Sequence, residues 1–322
     1  MIKLGLLLTN HYRLLSVAAI LDVFETVNRI YSTDGMQAPF MITIFCGENY
    51  PCPASSFHDY ELQSIASSEA QDLILIPSFF TDNVQLSIQQ NLGNIAWLNF
   101  QYKMGAELAS FCTGAFLLGA TGLLNGRIAT THVDACKDFA MAFPEVKLQA
   151  DKTVTQDGRL YTSGGATSSF HLMLHLLQQH CNKDIAVKIA KFYSIDMDRQ
   201  NQSYFSTFQI THKHDDSLVA MAQRKIEMGY KNIGTIEEMI KDIPASRRNI
   251  LRRFKQVTGI TPIEYLQQTR IEAAKKLLEQ TSEQMTAVIM LSGYNDPKAF
   301  RKVFRKAVGM TPSEYREKFY AG

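Results

Sequence analysis

Cys112 and His132 are the first pair in this chain whose types and spacing could do covalent chemistry. Cys112 ends an apolar run within Ser110-Phe111-Cys112-Thr113-Gly114. A sharp strand-to-helix turn needs small residues two before and two after its apex, which here are Ser110 and Gly114. A thiol at such an apex lies beside a helix N-terminus, whose dipole favours the thiolate. Twenty residues on, Thr130-Thr131-His132 closes another short apolar piece. The two side chains could meet as a nucleophile and its base, or as two walls of a pocket. A packed core thiol and a satisfied buried imidazole are the plainer alternative.

The second chemistry is cationic. Residues 217–322 carry 19 Lys+Arg against 11 Asp+Glu, net +8, while residues 1–216 carry 14 against 20, net −6. A polyanion therefore belongs with the last third of the chain. That third contains an internal repeat. Ile250 to Tyr265 recurs 50 residues later as Phe300 to Tyr315, sharing a basic helix with a buried Phe, a terminating Gly and Thr-Pro-x-Glu-Tyr. Gly259 and Gly309 fall where a helix must end in a left-handed residue, and Thr261-Pro262 and Thr311-Pro312 restart helices as N-cap and first helical position. Shorter helices precede each basic one, at 235–242 and 283–291, across turns at 243–245 and 292–295. Helix, tight turn and basic helix make a helix-turn-helix, here present twice.

In the first copy Ile250, Phe254 and Val257 form the buried stripe and Arg248, Asn249, Arg252 and Lys255 face away from it. In the second, Phe300, Val303, Phe304 and Ala307 are expected in the core, leaving Lys298, Arg301, Lys302 and Arg305 outward. Arginine suits base reading because its planar fork bridges guanine O6 and N7. The segment 262–280 is predicted as one helix, with Ile263, Leu266, Ala273 and Leu277 on its stripe. At 1.5 Å per residue it is about 27 Å long, a scale that could hold two recognition helices one DNA turn, ~34 Å, apart.

The elements that must position Cys112 and His132 come earlier. Strands are predicted at 4–8, 41–45, 73–76 and 108–111, and helices at 14–30, 84–104, after 112, near 133–143 and at 166–192. Strands alternating with helices imply an α/β doubly wound domain with a mostly parallel sheet. Asp157-Gly158 suits the turn of a tight hairpin. From 196 to 216 the pattern lapses into polar residues around Tyr204, Phe205 and Phe208, which reads as a linker. No apolar run approaches the roughly 20 residues of a membrane span. The five cysteines are scattered without a Cys-x-x-Cys pair, which fits a reducing cytoplasm. His171 and His175 share a helix face without a third ligand, so no metal and no cofactor are expected.

Ser246-Arg247-Arg248-Asn249-Ile250-Leu251-Arg252-Arg253-Phe254, then Gly293-Tyr294, Phe300, Phe304, Gly309, Pro312 and Tyr315, resemble the AraC/XylS-type DNA-binding domain. The resemblance implies base-facing positions at Arg248, Leu251 and Arg252 in the first unit and Lys298, Arg301 and Lys302 in the second. Ile250 replaces the family Leu, and Pro297 stands where that family often has a polar contact. The run Ser110 to Leu118, with Gly122 to His132 and Tyr161-Thr162-Ser163-Gly164-Gly165, resembles the DJ-1/PfpI superfamily, of class I glutamine amidotransferase-like fold. Together the two parts resemble the GlxA-type group of AraC-family regulators. The implied organisation is a DJ-1/PfpI-like ligand-sensing domain at 1–193, a linker at 194–216 and an AraC-type double helix-turn-helix domain at 217–322.

Where enzymes of the DJ-1/PfpI superfamily place an acidic residue early in the first helix, against the cysteine, this chain aligns Ser16, and Asp22 matches a second acidic position further along. Serine cannot hold the proton that such chemistry moves. The expectation is a pocket of Ser16, Asp22, Cys112, Thr113 and His132 that binds a small-molecule effector and does not turn it over. A DJ-1/PfpI-type hydrolase, hydratase or amidotransferase-like enzyme tethered to DNA is the alternative. Oxidation of Cys112 is a third reading, and a sequence-blind DNA coat a fourth. The expected partners are promoter or operator DNA, the effector, a second copy in a homodimer and RNA polymerase, with no membrane.

Overall fold

The computed structural model describes residues 1–47, 57, 59–67, 69–80, 83–165, 167–197, 202, 214–232 and 235–320. The chain separates into two compact units, Met1–Gln202 and Ser203–Gly322. Most of the expected linker, with Tyr204, Phe205 and Phe208, lies outside the described residues.

The first unit runs β1 (Ile2–Leu8), α1 (Leu14–Thr33), β2 (Phe40–Cys46), β3 (Glu61–Ser64), β4 (Leu73–Ile76), α2 (Val84–Gln90), α3 (Leu92–Lys103), β5 (Glu107–Ser110) and α4 (Ala115–Ala120). It continues with β6 (Ile128–Ala129), α5 (Cys136–Ala142), β7 (Lys147–Leu148), β8 (Val154–Asp157), β9 (Leu160–Ser163), α6 (Ser168–His180) and α7 (Lys183–Phe192). Its main sheet has the order β3-β2-β1-β4-β5-β9-β8. Every pairing is parallel except β8 with β9, which close as a hairpin over Gly158 at φ +61°. This is the doubly wound sandwich expected from the alternation of apolar runs.

Successive side chains of each strand enter opposite cores. Leu4, Leu6, Leu73 and Leu75 pack with α1, α6 and α7, while Leu7, Ile74 and Ile76 pack with Trp97, Phe116 and Phe139. Both faces are covered, which is why these strands read as unbroken hydrophobic runs. The short β3, β6 and β7 carry no such run and were not legible. Two helices expected to be continuous are split: Asn91 separates α2 from α3, and Asn182 caps α7 by accepting from the Ile185 N–H.

The second unit is helical where described: α8 (Ser217–Gly229), α9 (Ile236–Ile240), α10 (Arg247–Thr258), α11 (Pro262–Gln280), α12 (Met285–Leu291), α13 (Pro297–Val308) and α14 (Pro312–Phe319). Thr261 and Thr311 each form a capping box with the Glu three residues on, and Gly259 and Gly309 end their helices at φ +77° and +84°. The repeat is thus structural as well as sequential. Phe254 meets Tyr265 edge-on at 5.3 Å and Phe304 meets Tyr315 at 5.6 Å. The two tyrosine hydroxyls donate to Glu227 and Glu279 respectively.

Two expected stripes are corrected. Ala307 is exposed and Val308 closes the stripe of α13 instead, four residues after Phe304. On α11, Ile263 is 50% exposed, whereas Tyr265 and Leu266 enter one core and Ile271, Ala274 and Leu278 the other. A helix shared by two cores buries two faces, so a single stripe drawn along it drifts out of phase. Among the described residues, no helix is long and apolar enough to cross a membrane.

Candidate functional site

In the second unit, each basic helix is pinned by its apolar side and presents its cations outward. Ile250 and Phe254 are buried on α10, and Phe300 and Phe304 on α13. Arg248, Arg252, Lys298, Arg301, Lys302 and Arg305 are all exposed, with Asn249 and Leu251 half-buried beside them. Ser246 starts α10 by accepting from the Asn249 N–H, and Asp296 starts α13 by accepting from the Lys298 N–H, with Pro297 at the first helical position. Pro297 therefore serves helix initiation, where its missing N–H costs nothing.

Not every arginine on α10 is free for DNA. Arg253 donates from Nε to Asp216 at 2.8 Å, and that guanidinium holds the Asp216 carboxyl below its usual range. Arg247 is paired with Glu237. Among the described residues Arg252 touches neutral side chains alone, Asn249 Oδ1 at 3.3 Å and Gln256 Oε1 at 3.4 Å, which leaves its charge for a phosphate or a base edge.

In the first unit, the loops after β1, β4 and β5 converge where the strand order reverses, the position at which open α/β sheets bind ligands. Cys112 stands there at φ +55°, a left-handed conformation uncommon for a side chain of its kind. Gly114 is required two residues later because a Cβ there would lie 2.6 Å from the Ile76 carbonyl oxygen. Thr113 Oγ1 donates to the Phe79 carbonyl at 2.7 Å and accepts its N–H at 3.0 Å. Ser16 Oγ accepts the Ser78 N–H at 3.0 Å. Thr131 Oγ1 donates to the Cys112 carbonyl at 3.0 Å, which brings His132 alongside.

Cys112, Thr113, Ser16 and His132 are thus tied into one neighbourhood through residues 76–79 and Thr131. Asp22 is not part of it. It lies six residues along α1, about 9 Å of rise from Ser16, and accepts the Tyr193 hydroxyl at 2.6 Å. The expected pocket loses Asp22 because the six-residue step carries it along α1 to a partner of its own.

The scan against protein families matches residues 240–318 to a helix-turn-helix domain and residues 52–179 to the DJ-1/PfpI family. The transcriptional regulator GbdR of Pseudomonas aeruginosa is 22% identical over 98% of this chain and 84% of its own length. The regulator CdhR of the same organism is 27% identical over 69% of this chain and 66% of its own. The regulator GlxA of Rhizobium meliloti is 23% identical over 67% of each. Residues 240–318 thus form a helix-turn-helix domain and residues 52–179 a DJ-1/PfpI-family domain, and the chain is similar over most of its length to DNA-binding transcription regulators.

In this regulator the thiol does not behave as its place beside a helix start suggests. Cys112 is 4% exposed, and burial pushes its pKa up to about 11, against the opposing pull of Thr113 and Arg13. The helix that follows has only six residues and enters through a 3-10 turn, so its dipole is too weak to offset desolvation. Burial also holds the His132 imidazolium below its usual range, with Asp134 opposing and Arg13 adding to the shift. Among the described residues no hydrogen bond joins the Cys112 thiol to the His132 ring, whose Nδ1 accepts the Asp134 N–H at 3.2 Å.

Two consequences follow for Cys112. At neutral pH it carries about a hundredfold less thiolate than an ordinary thiol, so iodoacetamide should modify it slowly, with the rate climbing toward pH 11 in a mass-mapped alkylation series. Its raised pKa also means that the unfolded thiol ionises first as pH rises. The stability it contributes is complete below the ordinary value of 9.0 and is lost toward about 11.

Arg13 was missed in the sequence, although it acts on both Cys112 and His132. Its guanidinium stacks over Phe80 at 3.9 Å and its N–H donates to the Ser78 carbonyl. Its position just after the first strand of a doubly wound sheet was the available signal. A cavity of about 390 Å³ also opens away from Cys112, between β8 and α6, lined by Lys152, Gln156, His171, His175 and Met197 among others. There His171 Nε2 meets the Asp196 carbonyl at 2.8 Å and His175 Nε2 meets Gln156 Oε1 at 2.8 Å, so both histidines are satisfied locally.

Proposed function

We propose that this transcription regulator reads a specific DNA site with α10 and α13, and that its first unit binds a small molecule at Arg13, Cys112, Thr113 and His132 without turning it over. The observation that carries the DNA-reading half is the pair of matching helices, each buried on its Phe side and each exposing Arg and Lys on the opposite side. Arg248, Leu251 and Arg252 would meet bases from the first helix, and Lys298, Arg301 and Lys302 from the second, with Asn249 and Arg305 on backbone or base edges. The proposed organisation is an effector domain at 1–193, a connection at 194–216 and a DNA-binding domain at 217–322, acting as a cytoplasmic homodimer that contacts RNA polymerase at its promoters.

Binding without turnover is supported by the state of the site. Burial favours the protonated thiol, His132 Nδ1 is engaged by the Asp134 backbone N–H, and Ser16 Oγ already accepts the Ser78 N–H. A thermal-shift screen of metabolites, followed by a turnover assay of each hit, tests this half. A ligand that raises the melting temperature and is recovered unchanged is the expected result. Product formation that Cys112→Ser abolishes would make the domain an enzyme.

A further inference from the structure

Gln202 is the last residue of the first compact unit, and its side chain is buried to 1% exposure inside that unit. Its carboxamide oxygen accepts the Gly165 N–H at 2.9 Å. Its Nε2 faces three oxygens: the Thr131 carbonyl at 2.9 Å, the Ala150 carbonyl at 3.1 Å and Thr130 Oγ1 at 3.3 Å. Its backbone N–H donates to the Asp151 carbonyl at 2.8 Å. One inward N–H and three oxygens are the complement of a primary amide, which offers one carbonyl and two N–H bonds. A carboxylate would set its charge against those oxygens, and a hydroxyl would leave the Gly165 N–H or two acceptors unmet.

The slot is shaped as well as wired. A Cβ at Gly164 would lie 2.0 Å from the Gln202 carboxamide oxygen, so the first glycine of Gly164-Gly165 is the space the amide occupies. A Cβ at Gly165 would lie 3.2 Å from the His132 ring. Thr131 meanwhile accepts from the amide through its carbonyl and holds the Cys112 carbonyl through its hydroxyl. Slot and effector site therefore share a wall, Thr131-His132 on one side and Gly165 on the other.

We infer that Thr130, Thr131, Ala150 and Gly165 form a primary-carboxamide site, filled by this chain's own Gln202, which anchors the chain at that residue against the wall of the Cys112–His132 site. The regulatory consequence rests on the effector reading above; the slot itself does not. A ligand that shifts Thr131, His132 or Gly165 loosens the amide's partners, so the effector site and the connection to DNA binding share one set of hydrogen bonds.

The test uses the full chain. Hydrogen exchange at the Gly165 amide should speed up at least about tenfold in Gln202→Ala and in Gln202→Glu, because its acceptor is gone or repelled. Propionamide, a free primary amide, should restore protection in Gln202→Ala, and propionate should not. Unchanged exchange in Gln202→Ala, or equal rescue by the two compounds, overturns the assignment. Should Gln202→Ala fail to fold, Gln202→Asn keeps the amide but falls one methylene short, and it is expected to lose protection too; protection equal to that of the unsubstituted chain overturns the slot. For the docking role, affinity for a genomic fragment selected by the unsubstituted chain should change at least about fivefold in Gln202→Ala. Unchanged affinity overturns that role. Failure of the effector reading would show separately, as no ligand found for the Cys112–His132 site while propionamide rescue stands.

Discussion

Arg252→Ala is expected to weaken site-specific DNA binding strongly while leaving the fold intact. The guanidinium is exposed on α10 and, among the described residues, touches Asn249 and Gln256 alone, so its removal opens no cavity and strands no buried partner there. A bidentate arginine–guanine contact discriminates by about 1–3 kcal/mol, so preference for the cognate site over random DNA should fall by roughly 5- to 150-fold. Arg253→Ala, one residue on, is the contrasting control. It removes the partner of Asp216, the residue that caps α8, and should lower stability more than specificity. Footprinting that is unchanged in Arg252→Ala would take that residue out of the readout.

Gly293→Ala should unfold or misplace the second helix-turn-helix without disturbing the α/β domain. Gly293 sits at φ +88° in the turn between α12 and α13, and a Cβ there would lie 2.2 Å from the Tyr230 carbonyl oxygen. That oxygen is held by Arg270 Nε at 2.8 Å, and Arg270 also donates to the Asn232 carbonyl and lies over Tyr294. The substitution therefore strains a backbone and breaks the contact that ties the end of α8 to the second unit's turn. Left-handed backbone costs about 1–2 kcal/mol and overpacking about 1–3 more, a large part of a domain's stability. The lone tryptophan, Trp97, lies in the first unit and provides the internal check. Its fluorescence transition should stay in place while the helical transition seen by circular dichroism moves to lower temperature. A coincident, unshifted pair of transitions would contradict this.

How far the sequence carried the reading depended on whether local rules and tertiary demands agreed. The repeat was legible because Gly259 and Gly309, and Thr261-Pro262 and Thr311-Pro312, do the same local job wherever they stand, and the structure gives them the left-handed ends and capping boxes expected of them. The strands β1 and β4 were legible because burial on both faces leaves residues 4–8 and 73–76 without a polar interruption. The stripe of α11 was not, since two cores claim different faces of one helix.

At the Cys112–His132 site the types of residue were readable and their states were not. Cys112 and Gly114 mark the turn, yet whether the thiol ionises depends on burial by residues far apart in sequence. Arg13 and Gln202 have no motif around them. Arg13 gains its place from sheet topology, and Gln202 lies in a polar stretch whose composition reads as linker. Asp22 was placed by the resemblance to the DJ-1/PfpI superfamily, and in the structure it accepts the Tyr193 hydroxyl.

The measurement that bears most directly on the central claim is a footprint of the full chain on fragments it selects from its own genome, at stated salt and against random competitor. Two protected major-groove segments about one helical turn apart on one face, with the first lost in Arg252→Ala, are the predicted result. Equal binding to selected and random DNA, or protection of a single groove, would contradict it.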